Sequence, residues 1–486
     1  GKECLNNYNL DAEYAETRNN KITQLYNLAV KGIDINHKGL FTGASDVCFP
    51  LIMKSALEFV ALAKPSIIKD DAVVKAKVIG EDNKGEELKD PVSGQIMQGQ
   101  YGNALKTQSG SLTKSANNMA KFMSYYLLNK VDNWVEDVDK MLFIIAIIGT
   151  AFKKIQYNPL RKKIEVNLIY PQWLIIDNNA RSLRTASRIS QEMELRPNEI
   201  EALERTGIFR RIEYSSSTET FSGEVNSEDE TTPHIIIEQH CFIDLDDDGY
   251  EEPYIVWFRK EDGKICRILP RFKEEGIILD KKNNIIEVEP IQQFVAYQYL
   301  PNPEGGIYGI GLGDLLLPIN TAINSALRNL LDAAYRRNAG GGFTAGISNA
   351  KGETKHRPAE FLNVDLRGNF SLRDSVLPFD LPEPSTILYQ LTDLLINAGY
   401  DLASYSKSLE GIGANTPAIT TMTLQDNSLR GMKAIFQRIY YAMEQEYKIE
   451  YNLIGDYIPN EIYQKVLTDK TADIKQDFKK NNPNIC

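Results

Sequence analysis

Residues 308–338, YGIGLGDLLLPINTAINSALRNLLDAAYRRN, limit the possible folds of this chain more than any other segment. Apolar side chains recur in it at intervals of three and four, the spacing of one face of an α-helix. We expect Asp314 to be the N-cap and Pro318 to lie in the first turn, where proline is tolerated. Such a helix of about 22 residues spans about 33 Å. Its apolar stripe comprises Leu312, Leu316, Ile319, Ile323, Ala326, Leu330 and Ala334.

Two more amphipathic helices follow. The first ends at the glycines of 339–343, and turns with short strands are expected over 343–382. A second helix starts behind Ser385, which is its predicted cap. A flexible, nearly neutral loop, KSLEGIGANTPAITT, precedes the third and longest helix. The second stripe comprises Ile387, Leu391, Leu394, Ala398 and Leu402, and the third comprises Leu429, Met432, Phe436, Ile439, Met443 and Tyr447.

The preceding part of the chain divides into a helical and a β-rich region. Helices are predicted over 8–31, from a start signal at Gly43, Ser45 and Asp46 to Pro65, and as one long stretch over 114–148. From residue 150 to about 300 apolar residues alternate with polar ones, which predicts strands. Within that region the polar segment 214–233 is expected to be mobile. The chain is therefore predicted to be α+β.

The composition excludes several classes of protein. A net charge of −11 argues against a chain whose main task is to hold nucleic acid, although DNA could pass such a protein. The five cysteines lack CxxC and CxxH spacing, which indicates reduced thiols without a zinc site or a disulfide framework. The longest apolar run, 141–149, is far below the ~20 residues of a membrane span. Because the chain begins at Gly1 and ends at Cys486, we expect a fragment of a longer protein.

An acidic motif lies between two predicted strands, in CFIDLDDDGYEEPYIVWF (241–258). Asp244, Asp246 and Asp248 alternate and are followed by Gly249, as at the start of a calcium loop. The twelfth position, which carries a bidentate glutamate in EF-hands, is Ile255, and the flanking segments are strands. The motif is therefore either a hairpin loop that binds a structural Ca²⁺ or a simple turn. A catalytic metal is disfavoured, because no histidine lies nearby in a ligand pattern.

Two other motifs suggest phosphate binding. The glycines of GGIYGIGLGD (305–314) precede a helix, but their spacing matches neither GxGxxG nor GxxxxGK[ST], which favours a hinge. Arg328, Arg336 and Arg337 could contact phosphates, or they could simply complement the C-terminal end of a helix dipole. No GxSxG, HExxH or Cys/His dyad is evident, so nothing indicates an enzyme.

The order of these patterns resembles the portal (head-to-tail connector) proteins of tailed bacteriophages, closest to the podovirus type. The resemblance rests on the three helical segments described above, on SDVCFPLIMKSALEFV, and on LIYPQWLIIDNNARSLRTASRISQEMELRPNEIEAL. It covers most of 40–480, and an Asp loop of this kind is similar to loops in the wings of this group. A crown or barrel is expected to be absent from this fragment.

The resemblance implies a portal fold with a helical and a β-rich wing, long stem helices and a small α/β clip. The implied parts are 1–149, helical wing; 150–300, β-rich wing with the Asp loop; 301–339, first stem helix; 340–383, clip; 384–405, second stem helix; 406–421, tunnel loop; and 422–486, long wing helix leading towards a crown. Implied tunnel-loop residues at the DNA channel are Lys407, Gly411, Gly413, Asn415 and Thr416. Implied docking residues for terminase and adaptor are Arg336, Arg337, Arg367 and Arg373.

The implied function is that of a homo-oligomeric ring, normally a dodecamer, at one capsid vertex. Its partners would be the terminase, the major capsid protein, head–tail adaptor and tail proteins, and double-stranded DNA in the channel. It would belong to the virion, assemble in the host cytoplasm, contact no membrane and have no catalytic activity. No cofactor is expected, apart from a structural Ca²⁺ if the Asp loop is the cation-binding hairpin and not a simple turn. The alternatives are a calcium-dependent enzyme or adhesion module centred on 242–254, and another capsid-associated protein.

Overall fold

The computed structural model describes the following residues of the chain: 1–39, 43–68, 73–78, 111–213, 219–220, 223–224, 232–279, 285–339, 342–345, 361–364, 376–378, 385–403 and 418–478. Helices and sheets both contribute, in separate regions of the chain, so the predicted α+β class is confirmed. Within the described residues, no helix is long and apolar enough to cross a membrane.

The N-terminal region is helical. It contains α1 (Lys2–Tyr26) with a π-helical turn at Asn27–Lys31, α2 (Leu51–Ile67), α3 (Ser111–Asn129) and α4 (Trp134–Ile148). The helix predicted over 114–148 is wrong as a single element, because the chain breaks between α3 and α4, where Asn133 has a positive φ of 56°. The start signal near Ser45 is also misplaced, since α2 begins only at Leu51. Pro65 lies inside the last turn of α2 and does not end it.

The β-rich region begins at Gly149 and contains two main antiparallel sheets. Its elements are β1 (Thr150–Asn158), β2 (Lys163–Ile169), β3 (Leu174–Ile176), β4 (Ile189–Leu195), α5 (Pro197–Arg205), β5 (Glu219–Thr220), β6 (Gly223–Glu224), β7 (His234–Ile243), β8 (Glu252–Arg259), β9 (Ile265–Pro270), β10 (Ile277–Leu279), β11 (Ile285–Val288) and β12 (Phe294–Gln298). The strand orders are β12-β1-β2 and β3-β4-β7-β8-β9, and β10–β11 is a separate ribbon. The expected mobile segment 214–233 lies mostly outside the described residues.

The C-terminal region contains the long helices. Its elements are α6 (Leu312–Ala339), β13 (Gly342–Ala345), β14 (Phe361–Val364), β15 (Val376–Pro378), α7 (Thr386–Ala403), α8 (Ala418–Tyr457), α9 (Asn460–Leu467) and α10 (Ile474–Asp477). β13 pairs in parallel with β14 and antiparallel with β15, so the insertion between α6 and α7 contains the expected strands. Helix α8 already begins at Ala418, inside the span expected to be a loop.

The start of α6 differs in detail from the prediction. Asp314 is the third residue of the helix, not its N-cap, and its carboxylate accepts the N–H of Gly311 at 3.0 Å. Pro318 consequently lies in the second turn. In contrast, Ser385 does cap α7, since its Oγ accepts the N–H of Leu388 at 3.3 Å.

The main core joins the N-terminal helices, the β1 sheet and α8. The α8 residues Met432, Phe436, Ile439 and Met443 are buried in it, as the stripe predicts, while the side chain of Leu429 lies outside the described part. The core also contains a fully buried ion pair, in which Lys153 of β1 contacts Glu446 of α8 at 2.9 Å. Trp134 and Tyr297 donate hydrogen bonds to the same carboxylate. Both carboxylate oxygens of Glu446 therefore accept hydrogen bonds, and these bonds offset the cost of burying the charge.

A crossing of two backbones explains the glycine-rich motif. A Cβ at Gly311 would lie 2.6 Å from the nitrogen of Gly149, and a Cβ at Gly313 would lie 2.2 Å from the carbonyl oxygen of Ile147. The segment before α6 therefore passes directly against the end of α4, with no space for side chains or for a phosphate. The hinge interpretation holds.

The packing of α6 on the N-terminal region depends on a row of polar side chains. We call this row the polar ladder: Asn320, Asn324, Arg328 and Asp332. The four residues are spaced by four, so they lie on one face of α6, and all four are buried. Sequence patterning alone places such residues on the solvent side of the helix.

Three members of the polar ladder, Asn324, Arg328 and Asp332, bind the irregular segment that precedes α2. Asp332 accepts the N–H of Ser45 at 2.7 Å, and Asn324 accepts the N–H of Phe49 at 2.7 Å. Between them, Arg328 donates to the carbonyl of Val47 at 3.0 Å. These bonds supply the backbone partners that an irregular segment without a neighbouring strand would otherwise lack. They also explain why α2 starts later than its sequence suggests.

Arg328 is a structural residue. Its guanidinium pairs with Asp34 at 2.9 Å and contacts the sulfur of Cys48 at 3.2 Å. With these partners and its burial, it is unavailable to phosphates, so the phosphate-binding hypothesis is wrong for this arginine.

Replacing Arg328 by methionine should destabilise the protein. The change leaves Asp34 and the Val47 carbonyl without their donor, and removing one member of a buried pair costs about 3–5 kcal/mol. Chemical unfolding should show this loss. Arg337→Met on the same helix is the control, because Arg337 is exposed, and it should change stability by less than about 0.5 kcal/mol. Equal stability of the two variants would contradict the role given to the polar ladder.

Replacing Gly313 by alanine should also destabilise the protein, although alanine normally favours a helix by about 1 kcal/mol over glycine. Here the added methyl group meets the Ile147 carbonyl, and overpacking of this kind costs about 1–3 kcal/mol. Thermal or chemical unfolding measures whether the variant is less or more stable than the parent. Gly276→Ala is the control, because its Cβ would meet nothing closer than 3.4 Å. A Gly313→Ala variant more stable than the parent would rule out the close crossing.

Candidate assembly and docking surfaces

Helix α7 packs against α6 and α2 with its fully buried positions small or polar, and with Leu395 and Ile396 partly buried against the main core. In α7 the buried positions are Thr392, Gly399 and Ala403. A Cβ at Gly399 would lie 2.7 Å from the side chain of Leu51, so glycine permits the close approach to α2. Tyr400 adds an edge-on contact with Phe49, with ring centres 6.4 Å apart.

The apolar stripe of α7 faces away from this contact. The sequence predicts that the stripe is one face of a helix, and the structure places its side chains on the exposed side. We call it the α7 stripe: Ile387, Leu391, Leu394, Ala398 and Leu402. Ile387 is 77% exposed, Leu394 65%, Leu402 52% and Leu391 45%.

Such an exposed stripe is unfavourable in an isolated chain. Burying one large aliphatic side chain stabilises a protein by about 1.5–3 kcal/mol. The four large side chains of the α7 stripe would therefore add considerable stability if another surface covered them. A continuous apolar patch of this kind usually marks a surface for another protein. Leu331 and Tyr335 on α6 are also half-exposed and extend the apolar character to the first helix.

The structure describes two of the four predicted docking arginines. Arg336 and Arg337 lie exposed in the last turn of α6, just before the insertion begins. Arg367 and Arg373 lie outside the described residues. The structure therefore leaves the common docking surface of these four residues a prediction.

The predicted channel residues also lie outside the described part of the chain. They are Lys407, Gly411, Gly413, Asn415 and Thr416. The described elements that flank them are α7, which ends at Ala403, and α8, which begins at Ala418. Of the expected loop 406–421, residues 418–421 are helical.

The Asp loop connects β7 and β8, which are adjacent antiparallel strands, so the hairpin interpretation is confirmed. Asp244, Asp246 and Asp248 each offer an oxygen, and these atoms lie within 4.8 Å of one another. The N–H of Gly249 donates to Asp244 at 2.8 Å, and this bond is the main cause of the lowered pKa of Asp244. Gly249 has φ 91°, so a glycine is required at the turn. The arrangement can hold a hard cation.

Sequence patterns did not reveal the other buried charges of the β-rich region. Lys154 contacts Glu238 in the interior, and His240 lies 2.8 Å from the same carboxylate. Burial would raise the pKa of Glu238, but Lys154 and His240 outweigh this effect and lower it to about 2. Burial lowers the pKa of His240 to about 4. A neutral histidine and a paired carboxylate of this kind stabilise a core and provide no open catalytic site.

Comparison with known proteins identifies the family. A family model described as phage SU10 portal protein matches residues 99–363. The matched region runs from before α3 to β14 and so includes both main sheets, the Asp loop and all of α6. Among curated proteins, no sequence matches the chain.

The match covers more than half of the chain and includes the glycine crossing, the polar ladder and the Asp loop. The Asp loop is thus part of the same protein region as the long stem-like helix, and not the centre of a separate calcium module. Portal proteins are structural, non-enzymatic components of the phage particle. The chain belongs to the phage SU10 portal protein family, consistent with a portal of the podovirus type.

Proposed function

We propose that this chain assembles into a ring, normally a dodecamer, that forms the DNA channel at one vertex of the capsid. DNA would enter through this ring during packaging, be retained by it, and leave by it at ejection. The observation that carries the proposal, besides the family, is the exposed α7 stripe. A single chain leaves it uncovered, whereas a neighbouring copy in a ring would cover it.

A ring suits the position of the stripe. In a closed ring each copy presents one surface to its left neighbour and a different surface to its right neighbour. The α7 stripe would be one of these surfaces, and a helix of the next copy would supply the other. Because α7 is held to α6 and α2 on its opposite side, the stripe is already oriented for this contact.

We assign the parts of the portal as follows. The stem consists of α6 and α7, and the clip is the insertion 340–383 with its three short strands. The wing comprises 1–149, 150–300 and the helix α8, and the tunnel loop lies between α7 and α8. Terminase, and later the head–tail adaptor and tail proteins, would dock at the clip end, where Arg336 and Arg337 lie. Arg367 and Arg373 are proposed to belong to that surface, and the major capsid protein would surround the ring.

The charge of the chain agrees with a channel for sliding DNA. Contacts between phosphates and many Lys or Arg side chains would bind DNA tightly through counterion release. The chain instead has a net charge of −11, and its proposed tunnel loop is nearly neutral. The energy for packaging would come from a separate ATPase, since the chain contains no phosphate-binding glycine loop. Assembly would take place in the host cytoplasm.

Disrupting the α7 stripe should prevent ring assembly without unfolding the subunit. The double variant Leu391→Asp and Leu394→Asp places two charges in the proposed interface, where each would lack a partner and would be costly to bury. Light scattering should give a single subunit in place of the ring. Circular dichroism should be unchanged, because both side chains are exposed in the subunit.

The matched control is Tyr389→Asp, which should still form rings. Tyr389 is 67% exposed on the same helix and is neither three nor four residues from any member of the stripe, so it lies on a different face. Rings of the double variant that are as stable as those of the parent would contradict the proposed interface. Loss of rings in the control as well would show that charge on α7, not the stripe, determines assembly.

Shortening the proposed tunnel loop within 407–417 should impair DNA packaging or retention but leave ring assembly intact. These residues lie in sequence between α7 and α8, and the described contacts of α7 with α6 and α2 are made by residues up to Ala403. Packaging is measured as DNA protected inside particles, and assembly by light scattering. Loss of rings in this deletion would show that the loop is structural and would contradict its assignment to the channel.

A further inference from the structure

A fourth acidic side chain lies at the end of the Asp loop. Glu252 is the first residue of β8 and pairs with Ile243, the residue directly before Asp244. It is only 6% exposed, and its Oε2 has no hydrogen-bond partner in the described part of the chain. A buried carboxylate oxygen without a partner is costly, so it requires an explanation.

The surroundings of Glu252 indicate a cation as its missing partner. Asp244 follows Ile243 and opens the loop, and Glu252, which pairs with Ile243 across the hairpin, closes it. The three aspartates and the Glu252 carboxylate thus belong to one short loop, with negative charges that act on one another. Oδ1 of Asp244 is likewise buried without a partner among the described residues. Two unpaired oxygens beside two more carboxylates form a strongly negative group of hard ligands, which a divalent cation would satisfy.

We propose that Asp244, Asp246, Asp248 and Glu252 together bind one Ca²⁺ ion. In the numbering of a calcium loop these residues occupy positions one, three, five and nine, and Tyr250 occupies the seventh, where a backbone carbonyl serves. Position nine often acts through a water molecule, which suits a carboxylate somewhat farther away than the first three. Glu252 at position nine would thus supply the acidic ligand that Ile255, at position twelve, cannot.

The site would stabilise a junction in the β-rich region. The hydroxyl of Tyr250 accepts the N–H of Val288 at 3.2 Å, which connects the Asp loop to strand β11. A cation that orders the loop would therefore also hold the β10–β11 ribbon against the β7–β8 hairpin. This inference does not depend on the proposed channel, since it rests on the loop and its neighbours alone.

Calorimetric titration of the chelator-treated full chain with CaCl₂ tests the proposal. We expect one saturable site per chain with a dissociation constant below about 1 mM, and weaker binding of Mg²⁺, which demands a more rigid octahedral site. Glu252→Gln and Asp246→Asn should each weaken Ca²⁺ binding by about tenfold or more, because ligand charge sets affinity in such loops.

Asp247→Asn is the control. It removes the same charge from the same loop, but Asp247 occupies position four, which supplies no ligand in a calcium loop, and asparagine also tolerates its φ of 60°. It should keep the affinity within about twofold. Equal weakening by Asp247→Asn would indicate diffuse attraction and overturn the site. Unchanged affinity in Glu252→Gln, or no saturable binding up to about 10 mM Ca²⁺, would also overturn it.

A thermal melt provides the second measurement, and it identifies any variant that fails to fold. Ca²⁺ should raise the melting temperature of the parent chain and of Asp247→Asn, because a ligand that binds only the folded state stabilises it. It should not raise that of Glu252→Gln at the same concentration. A calcium-dependent rise of equal size in Glu252→Gln would contradict the role of this side chain.

Discussion

The hydrogen bonds between the polar ladder of α6 and the segment before α2 are the constraint on which the arrangement of the long helices depends. No strand of the described residues pairs with the segment that contains Ser45, Val47 and Phe49. Helix α6 supplies their partners through Asp332, Arg328 and Asn324. This fixes α6 along the N-terminal region. Helix α7 then packs into the angle between α6 and α2, and its apolar side is left outward. The exposed stripe is thus a consequence of how the first helix is held.

The β-rich region reinforces this framework through buried contacts of a different kind. The carboxylate of Glu446 on α8 accepts hydrogen bonds from Lys153, Trp134 and Tyr297. This one side chain therefore joins the long helix to α4 and to two strands. The glycine crossing joins the end of α4 to the start of α6. Both contacts require specific residues, and together they connect the long helices to the N-terminal and β-rich regions.

Much of the fold was predictable from the sequence, because apolar periodicity reports local geometry. It placed α6, α7, α8 and the main strands correctly, and hairpin logic placed the Asp loop between β7 and β8. Periodicity defines a face but not what covers it, so the outward orientation of the α7 stripe was not predictable. The burial of Arg328 was not predictable either, because its partners Asp34 and Val47 lie 294 and 281 residues away. The same holds for the proposed role of Glu252, which depends on its position beside the loop. The channel residues between α7 and α8 stay a prediction.

The central claim is that a neighbouring copy of the chain covers the α7 stripe. Electron cryomicroscopy of the assembled protein tests it most directly. We expect a closed ring in which Leu391 and Leu394 of each subunit lie against a helix of the adjacent subunit. An assembly in which these side chains face solvent or the lumen, or a protein that stays a single chain at concentrations where portals assemble, would contradict it.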